Sequence, residues 1–239
     1  MCYEIQRKKK EKTIKKFWFY SYFELYLHLK IRMQIFFFIM CITEEKINKN
    51  YLLWTEYLKK YDCYSEELIN DYGDAIRIGA FAMSDSSGAS YQGSLLNVVL
   101  NNLCVIATHI NEGGFGINGN GKEKHPYLYV DKKSLMKVLL LQHISKAELF
   151  VPSKEQWKIN KGMLYEFNSE LATSLKLGER SIFLCMKYGI KLTEEEYDAM
   201  KVCDKDEEKN NSFVTPLAEL VKIANQLTAI ETYQKYKNN

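Results

Sequence analysis

The sequence predicts an all-α fold, a helical bundle with a small irregular or hairpin insert and an appended N-terminal helix. Three observations underlie the all-α part. Apolar residues recur at helical spacing in seven separate segments, helix-start signals precede several of them, and only three prolines interrupt 239 residues. A chain of this length can bury a substantial core. With 46% hydrophobic and 13% aromatic residues it carries too much apolar surface to stay disordered. No internal period supports a repeat protein, and six cysteines without C-x-x-C spacing do not make a disulfide scaffold.

The first segment, residues 51–63, places Leu52, Leu53, Trp54, Tyr57, Leu58 and Tyr61 at helical intervals. Ser65 followed by Glu66 and Glu67 reads as an N-cap with acids in the first turn, opening a helix toward Met83. A polar loop follows over 84–90, then a Leu/Val/Ile-dense helix over 92–110 that should be central. Residues 111–126 are glycine-rich. Asp131 caps a helix predicted to continue through Ile144, and residues 150–167, with Pro152 and Gly162, form the irregular or hairpin insert. Helices resume over 179–188, behind a capping box of Thr193 with Glu196, and from Thr215, where Pro216 sits in the first turn.

Charge divides the chain unevenly. Residues 1–32 hold nine Lys/Arg against three Asp/Glu, leaving 24 against 27 in the remainder. A slightly acidic body does not suit specific nucleic-acid binding, which needs a basic face on the folded part. Residues 1–42 form a basic, aromatic extension and 43–239 the helical domain. Within the extension Glu24, His28, Lys30 and Arg32 interrupt the apolar run, so no spanning helix is expected. It reads as an interfacial amphipathic helix, as a docking helix, or as upstream sequence before a start at Met33 or Met40, and membrane contact is expected only through it. The scattered cysteines in apolar contexts point to a reducing, cytoplasmic setting.

Several local motifs are weaker than they look. Gly114 to Gly119 matches G-x-G-x-x-G and Gly116 to Lys122 approaches a P-loop, but no strand precedes them and Pro126 blocks a helix directly after them. The acidic run 204–208 lacks the glycine and distant glutamate of a calcium loop. Each is expected to be a solvated loop.

An ordered set of motifs carries a resemblance. Tyr91-Gln92-Gly93-Ser94-Leu95-Leu96, then Leu140-Leu141-Gln142-His143-Ile144-Ser145-Lys146, then Leu177-Gly178-Glu179-Arg180-Ser181, Thr193-Glu194-Glu195-Glu196 and Ala224-Asn225-Gln226-Leu227 resemble the HD-domain phosphohydrolase superfamily of phage and bacterial type over about residues 51–237. That family holds a divalent cation with histidines and aspartates from several helices, and the cation activates water against a phosphoryl group. Carried across, the first ligand histidine falls at Val98, the paired His-Asp at Gln142 and His143, and a later acidic ligand at Asn225. The histidine of the family's L-G-H-G is missing after Gly178.

Valine offers no donor, and neutral amides are weak substitutes for imidazole and carboxylate. The resemblance therefore implies a catalytically degenerate relative with no metal or other cofactor. Its vestigial pocket is lined by Val98, Gln142, His143, Lys146 and Asn225, and it acts by binding a nucleotide-like small ligand or a protein partner. Two alternatives stay open. One is an active phosphohydrolase with a shifted site drawing on His109, Asp131, His143 and Asp204; the other is a membrane-peripheral protein using residues 1–42.

Overall fold

The computed structural model describes residues 42–111, 129–171, 175–201 and 215–238. Expectations for the N-terminal extension up to Cys41, the glycine-rich loop, the side chain of His109, His125 and the acidic run 204–208 lie outside the described residues. What is described is mostly helical, with one two-stranded sheet. No described helix is long and apolar enough to cross a membrane.

Helix α1 (Glu44–Lys60) starts where Thr43 accepts a hydrogen bond from the backbone of Lys46 and runs longer than its apolar residues alone require. Helix α2 (Glu66–Ile78) starts at Ser65, whose hydroxyl accepts from Leu68 N. It stops at Ile78, short of Met83, for a tertiary reason. Gly79 is extended, and the carbonyls of Ile78 and Gly79 accept from Gly93 N and Leu95 N at 2.9 and 3.0 Å. The next segment is held against the start of α3 (Ser94–Asn111). There Ser94 Oγ accepts from Phe81 N and donates to Ala89 O. A single 3-10 turn, Asp85–Ser87, interrupts the connecting loop.

Helix α4 (Lys132–Leu141) is capped by Asp131, as its sequence implies, through a 2.9 Å bond from Ser134 N. Its apolar residues are buried almost all round, so it lies at the centre of the core. Trp54 of α1 is fully buried against it and donates its indole N–H to Leu140 O. The helix ends at Leu141, not Ile144. Beyond it the chain winds more tightly, with i+3 bonds such as Ile144 N to Leu141 O and Lys146 N to His143 O, before the short α5 (Lys146–Leu149). The tighter turn is held by two fully buried serines. Ser181 Oγ accepts from Ser145 N and donates to Gln142 O, while Ser145 Oγ donates to Leu177 O.

The insert is a hairpin. Strands β1 (Phe150–Pro152) and β2 (Tyr165–Phe167) pair antiparallel, Phe150 opposite Phe167, and flank the short α6 (Gln156–Asn160). Tyr165 N donates to Met83 O and Asp85 N to Gly162 O, so the hairpin also anchors the chain that leaves α2.

Helix α7 (Leu177–Lys187) packs closely on α8 (Glu194–Lys201). A Cβ placed on Gly178 would sit 2.3 Å from Met200 O, so this crossing admits only glycine. The capping box at α8 is formed: Glu196 N donates to Thr193 Oγ1, and Glu196 Oε2 accepts from Thr193 N. The same oxygen takes the Lys137 ammonium of α4 at 2.7 Å, with both side chains nearly buried, and Lys137 also donates to Lys191 O. The last helix, α9 (Pro216–Asn238), is capped by Thr215 and buries Leu217, Leu220, Val221, Ala224 and Thr228 along one stripe.

Two outcomes test this packing. Removing one partner of a buried ion pair costs about 3–5 kcal/mol, because the other charge is left behind. Glu196→Gln keeps the capping geometry but strands Lys137, so it should destabilise by that order, whereas Lys137→Met with Glu196→Gln should recover a large part of the loss in urea denaturation. The thiols of Cys63 and Cys185 are buried, and burial pushes both up to about 12. Both should stay protonated and resist iodoacetamide at pH 8, while exposed Cys104 is alkylated, as read by mass spectrometry of the folded protein.

Candidate functional site

The tight turn after α4 governs the site. In a 3-10 winding, residues three apart eclipse one another, so His143 and Lys146 share one edge. That edge faces a cavity of ≈ 410 Å³, within the range of small-molecule sites. Helix α3 contributes Val98 and Asn102, α9 contributes Lys222, Asn225, Thr228 and Tyr233, and Leu177 closes another side. Phe81 and Ala89, from the segment that left α2 early, complete the wall. Their place depends on Ser94, whose hydroxyl bonds the backbone of both.

Of the five residues expected at the pocket, Val98, His143, Lys146 and Asn225 line the cavity. Gln142 does not. It is fully buried behind the wall and pairs with Asn225 through two amide hydrogen bonds of 3.0 Å, each side chain donating to the other. Asn225 Oδ1 accepts a further bond, 2.7 Å, from Asn102 Nδ2. Three amides from the end of α4, α9 and α3 thus form one chain, which fixes the orientation of Asn225 and satisfies groups that would be costly to bury alone.

Besides Tyr233, the ionisable groups among the described lining residues are His143 and two lysines. His143 is 8% exposed and stands edge-on to Phe81, ring centroids 5.0 Å apart. Burial holds its imidazole well below the usual 6.5, the charge of Lys146 pushes the same way, and a hydrogen bond with Asn225 opposes them. The ring is therefore neutral at pH 7. Lys146 is 7% exposed, donates to Phe81 O at 2.9 Å and lies 3.2 Å from the centre of the Phe81 ring. Lys222 is ion-paired with Glu219 on its own helix. Among the described residues no Asp or Glu lines the cavity.

Three lining residues each keep one buried polar atom that meets no partner among the described residues: Asn102 Oδ1, His143 Nδ1 and Thr228 Oγ1. Such atoms cost about 1–3 kcal/mol each when left unsatisfied. Asn102, Thr228 and Phe81 are not among the residues that the sequence singles out. Two signals could have found the first two. Asn102 lies one helical turn after Val98, and Thr228 occupies the next position of the apolar stripe Leu217, Val221, Ala224. Phe81 carries no such signal, since its place depends on α2 ending at Ile78.

The donor set does not suit a catalytic metal. Val98 has no donor atom, the amides of Gln142 and Asn225 are spent on each other, and only the imidazole of His143 remains at this place. Among the described residues no three His, Cys, Asp or Glu are grouped to hold an ion. Of the shifted set, Asp131 is used as the cap of α4, and His109 and Asp204 lie outside the described side chains.

No protein-family model matches the chain, no curated protein is similar to it in sequence, and no solved structure matches its fold.

The neutral state of His143 has a consequence for stability. The unfolded chain takes up a proton on this ring near pH 6.5, whereas the folded chain resists it down to lower pH. Below about pH 6.5 the unfolded state therefore binds more protons, and folding weakens as pH falls, by up to about 1.4 kcal/mol per pH unit. Urea denaturation of the wild type between pH 6.5 and 5.5 should show this slope, and His143→Gln should lose it.

Proposed function

We propose that the chain is a non-catalytic helical protein of HD-domain-like design that acts by binding a small molecule in the cavity beside Asn225. One observation carries the reading: a cavity of ≈ 410 Å³ whose wall is largely apolar yet includes His143, Lys146, Asn102 and Thr228. An apolar pocket with a few convergent polar groups and a strongly shifted imidazole has the composition of a ligand site. The unsatisfied atoms of Asn102, His143 and Thr228 add to it, because a ligand reached by a modest side-chain rotation would recover part of their cost.

The resemblance to HD-domain phosphohydrolases supports the placement, since it picks out Val98, His143, Lys146 and Asn225 from residues far apart in the chain. The amide chain supports the non-catalytic half of the reading. Where that family has metal ligands, this protein has Gln142 and Asn225 locked to each other. A hydrolytic water would find no carboxylate base among the described lining residues. Nucleotides and smaller metabolites remain the natural ligands to try, ahead of a protein partner, because the feature in question is concave.

The test is thermal denaturation against a panel of nucleotides, nucleobases and small metabolic acids, repeated with Val98→Trp, which fills the cavity. A ligand at one hundred times its Kd stabilises by about 2.7 kcal/mol. For a domain of this size that raises Tm by about 5–10 °C. At least one compound should do so for the wild type and not for the folded Val98→Trp variant. Release of inorganic phosphate from the nucleotides, abolished by His143→Ala, would replace this reading with the hydrolytic one.

A further inference from the structure

The direction of the hydrogen bonds around the cavity narrows the ligand. Asn225 Oδ1 accepts from Gln142 Nε2 at 3.0 Å and from Asn102 Nδ2 at 2.7 Å. The hydrogen bond between Asn225 and His143 favours the charged ring, so there too the ring donates and the amide oxygen accepts. Three donors thus converge on one oxygen. With all three amides turned round, the Asn225 nitrogen would have two hydrogens for three acceptors, so the observed direction is the one that satisfies every member.

That direction decides what the lining has left to offer. Asn102 donates to Asn225 through its nitrogen and keeps its carbonyl oxygen, which meets no partner among the described residues. His143 Nδ1 meets none there either, so the bond from the ring to Asn225 is made by Nε2. A neutral imidazole carries one hydrogen on nitrogen, and with that hydrogen on Nε2 the other nitrogen is a bare lone pair. Two acceptors without donors therefore belong to a lining that also includes Val98, Leu177 and Ala229. The Thr228 hydroxyl can turn to donate or to accept and does not decide between ligands.

We propose, on the reading that this cavity is a binding site, that its ligand is a mostly apolar molecule that donates hydrogen bonds through N–H or O–H groups, selected by Asn102 Oδ1 and His143 Nδ1. Such a ligand brings the hydrogens that these two acceptors lack among the described residues. A molecule of the same shape that offers only acceptors sets lone pair against lone pair and leaves both atoms unmet.

Two measurements on the full chain test it. Nitrogen NMR of ring-labelled histidine, with the His143 signals identified by their loss in His143→Gln, should show a neutral ring that carries its hydrogen on Nε2 at pH 7. Ligand-observed NMR and calorimetry then compare matched probes: indole against benzofuran, phenol against anisole, and benzamide against methyl benzoate. At least one donor should bind about tenfold or more tightly than its partner and move the His143 Nδ1 resonance. Asn102→Leu should shrink that preference; if this variant does not fold, the ring tautomer and the wild-type pairs decide alone. A ring with its hydrogen on Nδ1, donors that bind without moving that resonance, or partners that bind as tightly as the donors would overturn the assigned polarity and leave the binding site standing. Silence from both members of every pair would remove the site and this inference together.

Discussion

The arrangement depends on the requirement that a fully buried primary amide find partners for both of its ends. Gln142 sits at the exit of the most deeply buried helix with no solvent to turn to. It meets that requirement through Asn225 on α9, about eighty residues later in the chain, and Asn225 in turn holds Asn102 on α3. Three helices are thereby held in one register at one level of the bundle. An apolar side chain at position 142 would pack equally well but would not specify which residue of α9 stands opposite, and it is this pairing that sets His143 and Lys146 against the cavity.

The turn that presents those two residues is equally constrained. The interlocked hydroxyls of Ser145 and Ser181 take up backbone groups that an α-helix would have used internally, so the chain tightens after Leu141 without leaving buried donors unmet. Phe81 reaches its place beside His143 and Lys146 by a comparable route, through the hydroxyl of Ser94. One part of the cavity wall is thus built from backbone that departs from regular helix, each departure held by a serine. Because the elements on either side are packed helices, the wall is preorganised.

Much of the helical layout is legible from residue type. The caps at Ser65, Asp131, Thr193 and Thr215 all bond as their sequences imply, because a cap is satisfied within three residues and needs nothing distant. The errors share one cause. The helix expected to reach Met83 ends at Ile78, and the one expected to reach Ile144 ends at Leu141, because a remote serine or strand offers the backbone a better partner than the next turn would. Pro152 and Gly162 mark the insert over 150–167 as irregular, but its pairing and its hold on Met83 and Asp85 are long-range facts.

The sequence by itself determined the helical class, the starts of most helices and the neutral chemistry at positions 98, 142 and 225, since periodicity, capping and residue identity are local properties. It also marked Gln142 and His143 as polar groups in apolar surroundings that would need partners. Only the tertiary structure decided that Gln142 withdraws behind the wall while His143 and Lys146 face the cavity, and that Asn102, Thr228 and Phe81 join them. The reason is geometric: which face of a turn meets open space depends on how several helices pack, and no stretch of chain contains that information alone.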